Sequence, residues 1–161
     1  MRGRVLLTFI AAAGVTSACE STTEAKITYK ATLAGTQEVP PVTSSGTGTW
    51  TATLDASTNT LTYELIYQGL GSAATMAHIH GPAAAGVNAN VLVDFATGGR
   101  TLTLGTTGSG GGTISLAATS VITSTVSGDS LRKLMDSGNA YVNIHSVTNG
   151  GGEIRGQIVR Q

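Results

Sequence analysis

Two histidines lie one residue apart in the stretch M-A-H-I-H-G-P, which covers residues 76–82. The chain contains three histidines, and the third is His145. Neutral imidazole binds both zinc and copper well, so His78, His80 and His145 are candidate ligands of one metal ion. Met76 stands two residues before His78 and would add a soft thioether sulfur, which favours copper.

The segments that carry these histidines are predicted to be β-strands. Successive side chains of a strand point to opposite faces, so a strand over 75–80 places Met76 and both of its histidines on one face. A strand over 140–147 likewise places Tyr141, Asn143 and His145 together. The three imidazoles converge if these two strands are neighbours, and the sequence leaves that pairing open.

A third predicted strand, over 152–159, carries Glu153 and Arg155 on its polar face. One hypothesis is that these side chains order a ligand histidine by hydrogen bonding. The alternative is a structural role, in which they pair with each other or with neighbouring groups. The alternative without a metal is structural: histidines on a polar sheet face form hydrogen bonds across strands to Tyr141, Asn143 or Glu153. Binding of a different ligand is a further alternative.

The fold class follows from the alternation of apolar and polar residues, which runs through most of the chain from Lys26 onward. Many short strands separated by turns predict an all-β, antiparallel β-sandwich of the Greek-key type. The remaining predicted strands cover residues 27–33, 48–54, 60–67, 90–95, 100–104 and 113–117.

Three segments interrupt this pattern. Residues 128–137 are predicted to form one short helix, with Asp129 or Ser130 as its N-cap and a stop at Gly138. The glycine-rich residues 108–112 are predicted to be a mobile loop. The stiff segment E-V-P-P-V, residues 38–42, is predicted to be an edge strand that ends in a bend, with an exposed strip for partner docking as the alternative.

The N-terminus has the pattern of an export signal. Arg2 and Arg4 precede a short apolar stretch at 5–15, which is too short to span a bilayer but has the length of a signal-peptide core. Residues 1–18 are therefore predicted to be a signal peptide, and the protein is predicted to be exported.

Cys19 is the only cysteine of the chain, so it has no partner for an internal disulfide. Its position after small residues at the end of the signal core resembles the lipidated cysteine of bacterial lipoproteins. Residues 19–25 are then a flexible tether, and residues 26–161 form one domain held to the membrane by lipid. Ordinary signal-peptide cleavage is the alternative.

Composition excludes several classes of function. The formal net charge is zero, which does not favour a nucleic-acid surface or a polybasic membrane patch. Neither a nucleophile elbow nor a phosphate-binding loop is present, and no catalytic set of residues is recognised. The sequence therefore predicts a protein that is not an enzyme.

Four motifs resemble the CHRD domain, which is named after chordin and also occurs in bacterial secreted proteins. They are L-A-G-T-Q-E-V-P-P-V (33–42), A-H-I-H-G-P-A (77–83), A-Y-V-N-I-H-S (140–146) and G-E-I-R-G-Q-I (152–158). The resemblance implies an immunoglobulin-like β-sandwich. In animals this domain occurs in extracellular proteins that bind growth factors, but a shared fold does not fix a function.

The predicted function is that of a lipid-anchored binding module at the cell surface or in the periplasm, with an unknown protein or envelope component as partner. The first alternative is a copper- or zinc-binding protein that uses the three histidines for metal handling or redox protection. The second alternative is a structural envelope protein.

Overall fold

The computed structural model describes residues 26–118, 122–123 and 125–161. The signal peptide, the lipidated Cys19 and the tether were predicted within residues 1–25, which lie outside the described residues. Within the described part, no helix is long and apolar enough to cross a membrane.

Ten strands and one α-helix make up the domain. They are β1 (Ile27–Ala34), β2 (Thr47–Asp55), β3 (Thr60–Gln68), β4 (Ala74–His80), β5 (Val91–Asp94), β6 (Thr101–Leu102), β7 (Gly108–Ser115), α1 (Gly128–Asp136), β8 (Tyr141–Ser146), β9 (Ile154–Gln157) and β10 (Val159–Arg160).

All ten strands belong to one antiparallel sheet with the order β5-β4-β8-β9-β1-β2-β3-β7-β6, and β10 pairs with β1 beside β9. The sheet is curled, and the buried apolar residues of its two halves form a single core. The prediction of an all-β, antiparallel, sandwich-like fold is confirmed. Its two layers are the halves of one continuous sheet.

Alternating side chains build this core. Along β3, Leu61, Tyr63, Leu65 and Tyr67 are buried, while the residues between them are mostly exposed. Each fully buried large apolar side chain stabilises the fold by about 1.5–3 kcal/mol. Strand β8 differs, because all six of its residues are buried. Its apolar face packs on the core, and its polar face is covered by loops that form the site described below.

The prediction of a loop at residues 108–112 is wrong, because these glycines belong to β7. That strand pairs with β3 along its whole length and with β6 on its other edge. A Cβ atom on Gly108 would lie 2.5 Å from the hydroxyl of Tyr67, which donates a hydrogen bond to the Thr103 carbonyl at 2.6 Å. Glycine is therefore required here for close packing, and pairing on both edges overrides its low strand propensity.

Two further local predictions are corrected. Residues 38–42 form no strand, since a short 3-10 turn at Gly35–Gln37 leads into an irregular segment that runs to β2. The predicted helix is present as α1, but its N-cap is Ser127, whose side chain accepts a hydrogen bond from the Ser130 amide. Gly138 has φ +69° and ends the helix as expected.

Candidate metal centre

The strands that carry the histidines are direct neighbours. In the β4–β8 ladder, Met76 lies opposite His145, while His78 and His80 lie opposite Asn143 and Tyr141. The apolar side chains of both strands face the core, so the three imidazoles share the opposite face. They are only 6%, 6% and 8% exposed.

The three imidazoles offer one nitrogen each within 4.8 Å of one another. The shortest separation joins His78 Nδ1 to His145 Nε2, at 3.0 Å. In a tetrahedral zinc site, nitrogens about 2.1 Å from the metal are roughly 3.4 Å apart. The rings therefore need to move by roughly 1 Å to enclose an ion.

Backbone carbonyls fix the tautomers of two of the rings. His80 Nδ1 lies 2.9 Å from the Ala89 carbonyl oxygen, and His145 Nδ1 lies 2.9 Å from that of Gly150. Because a carbonyl only accepts, each Nδ1 carries the proton and each Nε2 presents a lone pair. His78 Nδ1 then donates to His145 Nε2. The buried Nε2 of His80 has no hydrogen-bond partner among the described atoms.

Burial favours the neutral form of two of the histidines. It is the main reason that the pKa of His78 falls from 6.5 to about 4, and the neighbouring His145 and His80 also act to lower it. Burial is also the main cause of the lowered pKa of His80. Metal ligation requires the neutral imidazole, so His78 and His80 need no net deprotonation near neutral pH to accept an ion.

The ring of His80 is held by a stack of side chains. Tyr141 on β8 lies parallel to it, with ring centroids 4.9 Å apart. The guanidinium of Arg155, on β9, lies 3.3 Å from the centroid of the Tyr141 ring. Arg155 also donates to the Val87 carbonyl and to Asn88 Oδ1, at 2.8 and 3.1 Å. These bonds fix the loop whose Ala89 carbonyl orients His80.

The match to known families covers this whole arrangement. The model of the CHRD domain matches residues 29–158, which include all three histidines. The chain belongs to the CHRD domain family. It matches none of the curated proteins and none of the solved structures with which it was compared.

Among the described residues, Glu153 and Arg155 make their side-chain hydrogen bonds to groups other than the histidines. Arg155 acts through Tyr141 and the 87–89 loop. Glu153 precedes β9, and its carboxylate accepts hydrogen bonds from Ser44, Ser146 and the Gly71 amide. Glu153 therefore ties three loops together, and Tyr141 and Asn143 remain the predicted residues that adjoin the histidines.

Two carboxylates near the cluster were missed by the sequence analysis. Asp94 on β5 lies opposite His78 in the β4–β5 ladder. Glu38 is only 6% exposed, and burial raises its pKa to about 7 although Arg155 and the Asn143 amide act to lower it. Glu38 lies in the first of the four CHRD motifs, so the resemblance could have drawn attention to it. Asp94 lies outside the four motifs, and only strand pairing brings it to the site.

Met76 lies at the edge of the site. It is 43% exposed and sits opposite His145 on the neighbouring strand. Its place opposite His145 puts it beside the histidines, and its role as a ligand stays a prediction. The arrangement as a whole is a set of three buried imidazoles with carboxyl groups nearby, which is a donor set suited to zinc or copper.

Proposed function

We propose that this CHRD domain is a non-enzymatic module that binds a zinc or copper ion through His78, His80 and His145. Family membership indicates a binding or structural module, and the cluster supports a metal ion as what it binds. The observation that carries the proposal is the buried, unpartnered Nε2 of His80 beside the other two imidazoles. An unsatisfied buried acceptor costs about 1–3 kcal/mol, and a bound cation removes that cost.

The carbonyl contacts of His80 and His145 support the same proposal. Metal-binding histidines usually donate their second ring N–H to a carbonyl or carboxylate, which orients the ring and raises its basicity. His80 and His145 both have such a carbonyl partner. His78 contributes Nδ1 after its proton moves to Nε2, and this exchanges one hydrogen bond for a metal bond without a net proton loss.

Export and anchoring to the membrane through lipid on Cys19 remain part of the proposal. They rest on the sequence of the first 25 residues, as argued above. A cell-envelope location exposes the domain to metal ions outside the cytoplasm, which is consistent with a role in metal handling.

The test is metal binding by the protein without a polyhistidine tag. Zn(II), Cu(II) and Cu(I) are titrated in competition with a chromophoric chelator, and bound metal is counted by elemental analysis. One ion per chain is expected, and His78→Gln, His80→Gln and His145→Gln should each lower the affinity by at least tenfold. Because these are the only histidines of the chain, no other imidazole contributes to the signal.

Cys19→Ser is the matched control, since Cys19 is the other strong metal ligand of the sequence. Its affinity should equal that of the unaltered protein. A folded protein that takes up no ion at micromolar metal would refute the proposal and leave the histidines as structural residues.

A second candidate function is binding of a protein or envelope component. Exposed apolar side chains favour it, because Val147 is 71% exposed and Met76 is 43% exposed at the same end of the β4–β8 pair. This function predicts partner binding that a chelator leaves unchanged. Val147→Ser should weaken that binding while metal affinity stays the same, because Val147 lies outside the histidine cluster.

A further inference from the structure

Two buried acceptor atoms of the candidate site, one nitrogen and one oxygen, have no hydrogen-bond donor among the described atoms. They are His80 Nε2 and Asn143 Oδ1, and neither has a hydrogen-bond partner among the described atoms. Both side chains are more than nine-tenths buried. Buried polar atoms are nearly always satisfied, so a pair of unsatisfied acceptors in one place calls for a specific explanation.

The orientation of Asn143 follows from its other neighbour. Asn143 Nδ2 and Glu38 Oε1 lie 2.8 and 2.5 Å from the same point, the position of a Cβ atom built on Gly152, so the amide nitrogen lies on the side of Glu38. The amide oxygen Oδ1 is the other end of the group, and Asn143 acts to raise the pKa of His80, as expected for a group next to that ring. His78, directly opposite Asn143 on β4, brings a second imidazole to the same point.

From this arrangement we infer that Asn143 supplies an oxygen donor to the metal ion, which completes a set of three nitrogens and one oxygen. This inference rests on the proposed function, because it assigns a fourth ligand to the same site. Two buried acceptors without a donor favour a cation, and the carboxyl groups of Glu38 and Asp94 offset its charge. Glu38 binds Asn143 from behind and acts as a positioning residue.

The oxygen donor determines which metal the site prefers. An amide oxygen is a hard ligand and suits divalent ions, whereas Cu(I) prefers soft sulfur ligands or imidazole alone. A set of three nitrogens and one oxygen therefore selects Zn(II) or Cu(II) over Cu(I). Without Asn143, the site keeps three imidazoles and loses this discrimination.

The experiment compares the affinities of the unaltered protein and of Asn143→Leu for Zn(II) and Cu(I). Leucine has a similar volume and removes the donor atom. We expect Asn143→Leu to weaken Zn(II) binding by at least tenfold and Cu(I) binding by less than about threefold. Asn143→Asp, which keeps an oxygen at this position, should retain Zn(II) binding within about threefold. Asn139→Leu is the matched control, because Asn139 makes its side-chain hydrogen bond to Ser137 instead.

The outcomes separate the two proposals. If the unaltered protein binds no metal, the proposed function and this inference are both overturned. If it binds Zn(II) and Asn143→Leu binds equally well, only the inference is overturned, and Asn143 serves the hydrogen-bond network. Equal losses of Zn(II) and Cu(I) affinity would also overturn it, because they indicate a disturbed fold at the site. A selective loss of Zn(II) affinity supports it.

Discussion

The carboxyl group of Glu38 is the most informative single group to alter, because its burial predicts in which direction the stability of the protein changes with pH. It is almost fully buried, and one of its oxygens, Oε1, has no partner among the described atoms. Replacing it in Glu38→Gln keeps the shape of the side chain and removes the charge. We expect this variant to be more stable than the unaltered protein at pH 8.

The magnitude follows from the pKa of the group. The pKa is 4.5 for the free side chain and about 7 in the folded protein, so the folded state binds more protons between these values. Stability therefore falls as the pH rises from 4.5 through 7. The full difference corresponds to about 3 kcal/mol. Relaxation of the protein and water penetration around the charged carboxylate reduce the expected effect to about 1–2 kcal/mol.

His78 contributes with the opposite sign. Its pKa falls from 6.5 to about 4 on folding, so its contribution to stability is present above pH 6.5 and is lost as the pH falls through 4. The two contributions partly cancel in the unaltered protein between pH 4.5 and 6.5. Glu38→Gln removes one of them, so its stability should drop more steeply on acidification than that of the unaltered protein.

The assay is urea unfolding followed by fluorescence of Trp50, the only tryptophan of the chain and a fully buried one. Measurements from pH 4.5 to pH 8 are made with a chelator present, so that metal binding does not contribute. The gain of Glu38→Gln over the unaltered protein should grow by about 1–2 kcal/mol across this range. Glu64→Gln, on the exposed face of β3, is the matched control. A pH-independent difference for Glu38→Gln would refute the reasoning.

Two further predictions concern packing around the site and along β7. Arg155→Lys loses the planar contact with Tyr141 and the hydrogen bonds to Val87 and Asn88. It should lower the free energy of unfolding by about 1–3 kcal/mol and the metal affinity by about tenfold. Arg132→Lys, at a half-buried ion pair on α1 outside the site, is its control and should change either value little. Gly108→Ala should destabilise the domain by about 1–3 kcal/mol, because the new methyl group displaces the Tyr67 hydroxyl. Gly111→Ala on the same strand meets no atom closer than 3.4 Å and should be nearly neutral, and equal stability of the two variants in urea unfolding would contradict this account of β7.

The local pattern of the sequence predicted the strands and their faces well. Period-two alternation is a property of a few consecutive residues. It therefore grouped His78 with His80 on one face of their strand, and Tyr141 and Asn143 with His145 on one face of theirs, without knowledge of the fold. It also indicated the all-β class and the position of α1. It failed at 108–112, where pairing with β3 and β6 outweighs the low strand propensity of glycine.

The roles of individual polar side chains were less accessible. Glu153 was grouped with Arg155 because the two are two residues apart. The structure starts β9 at Ile154 and directs the Glu153 carboxylate to Ser44, Ser146 and Gly71. Such partners come from loops more than seventy residues away in two of the three cases, and no local pattern specifies them.

The sequence by itself determined which face of each strand each histidine occupies, because side-chain alternation is set by the chain's own geometry. The tertiary structure alone decided that β4 and β8 are neighbours, and in which register. That pairing joins residues 67 positions apart, His78 and His145, at 3.0 Å. The register depends on the packing of the whole core, since a shift of one strand by one residue would turn the histidines of that strand to the opposite face. Glu38 and Asp94 come to the site for the same reason, through contacts that only the folded chain provides.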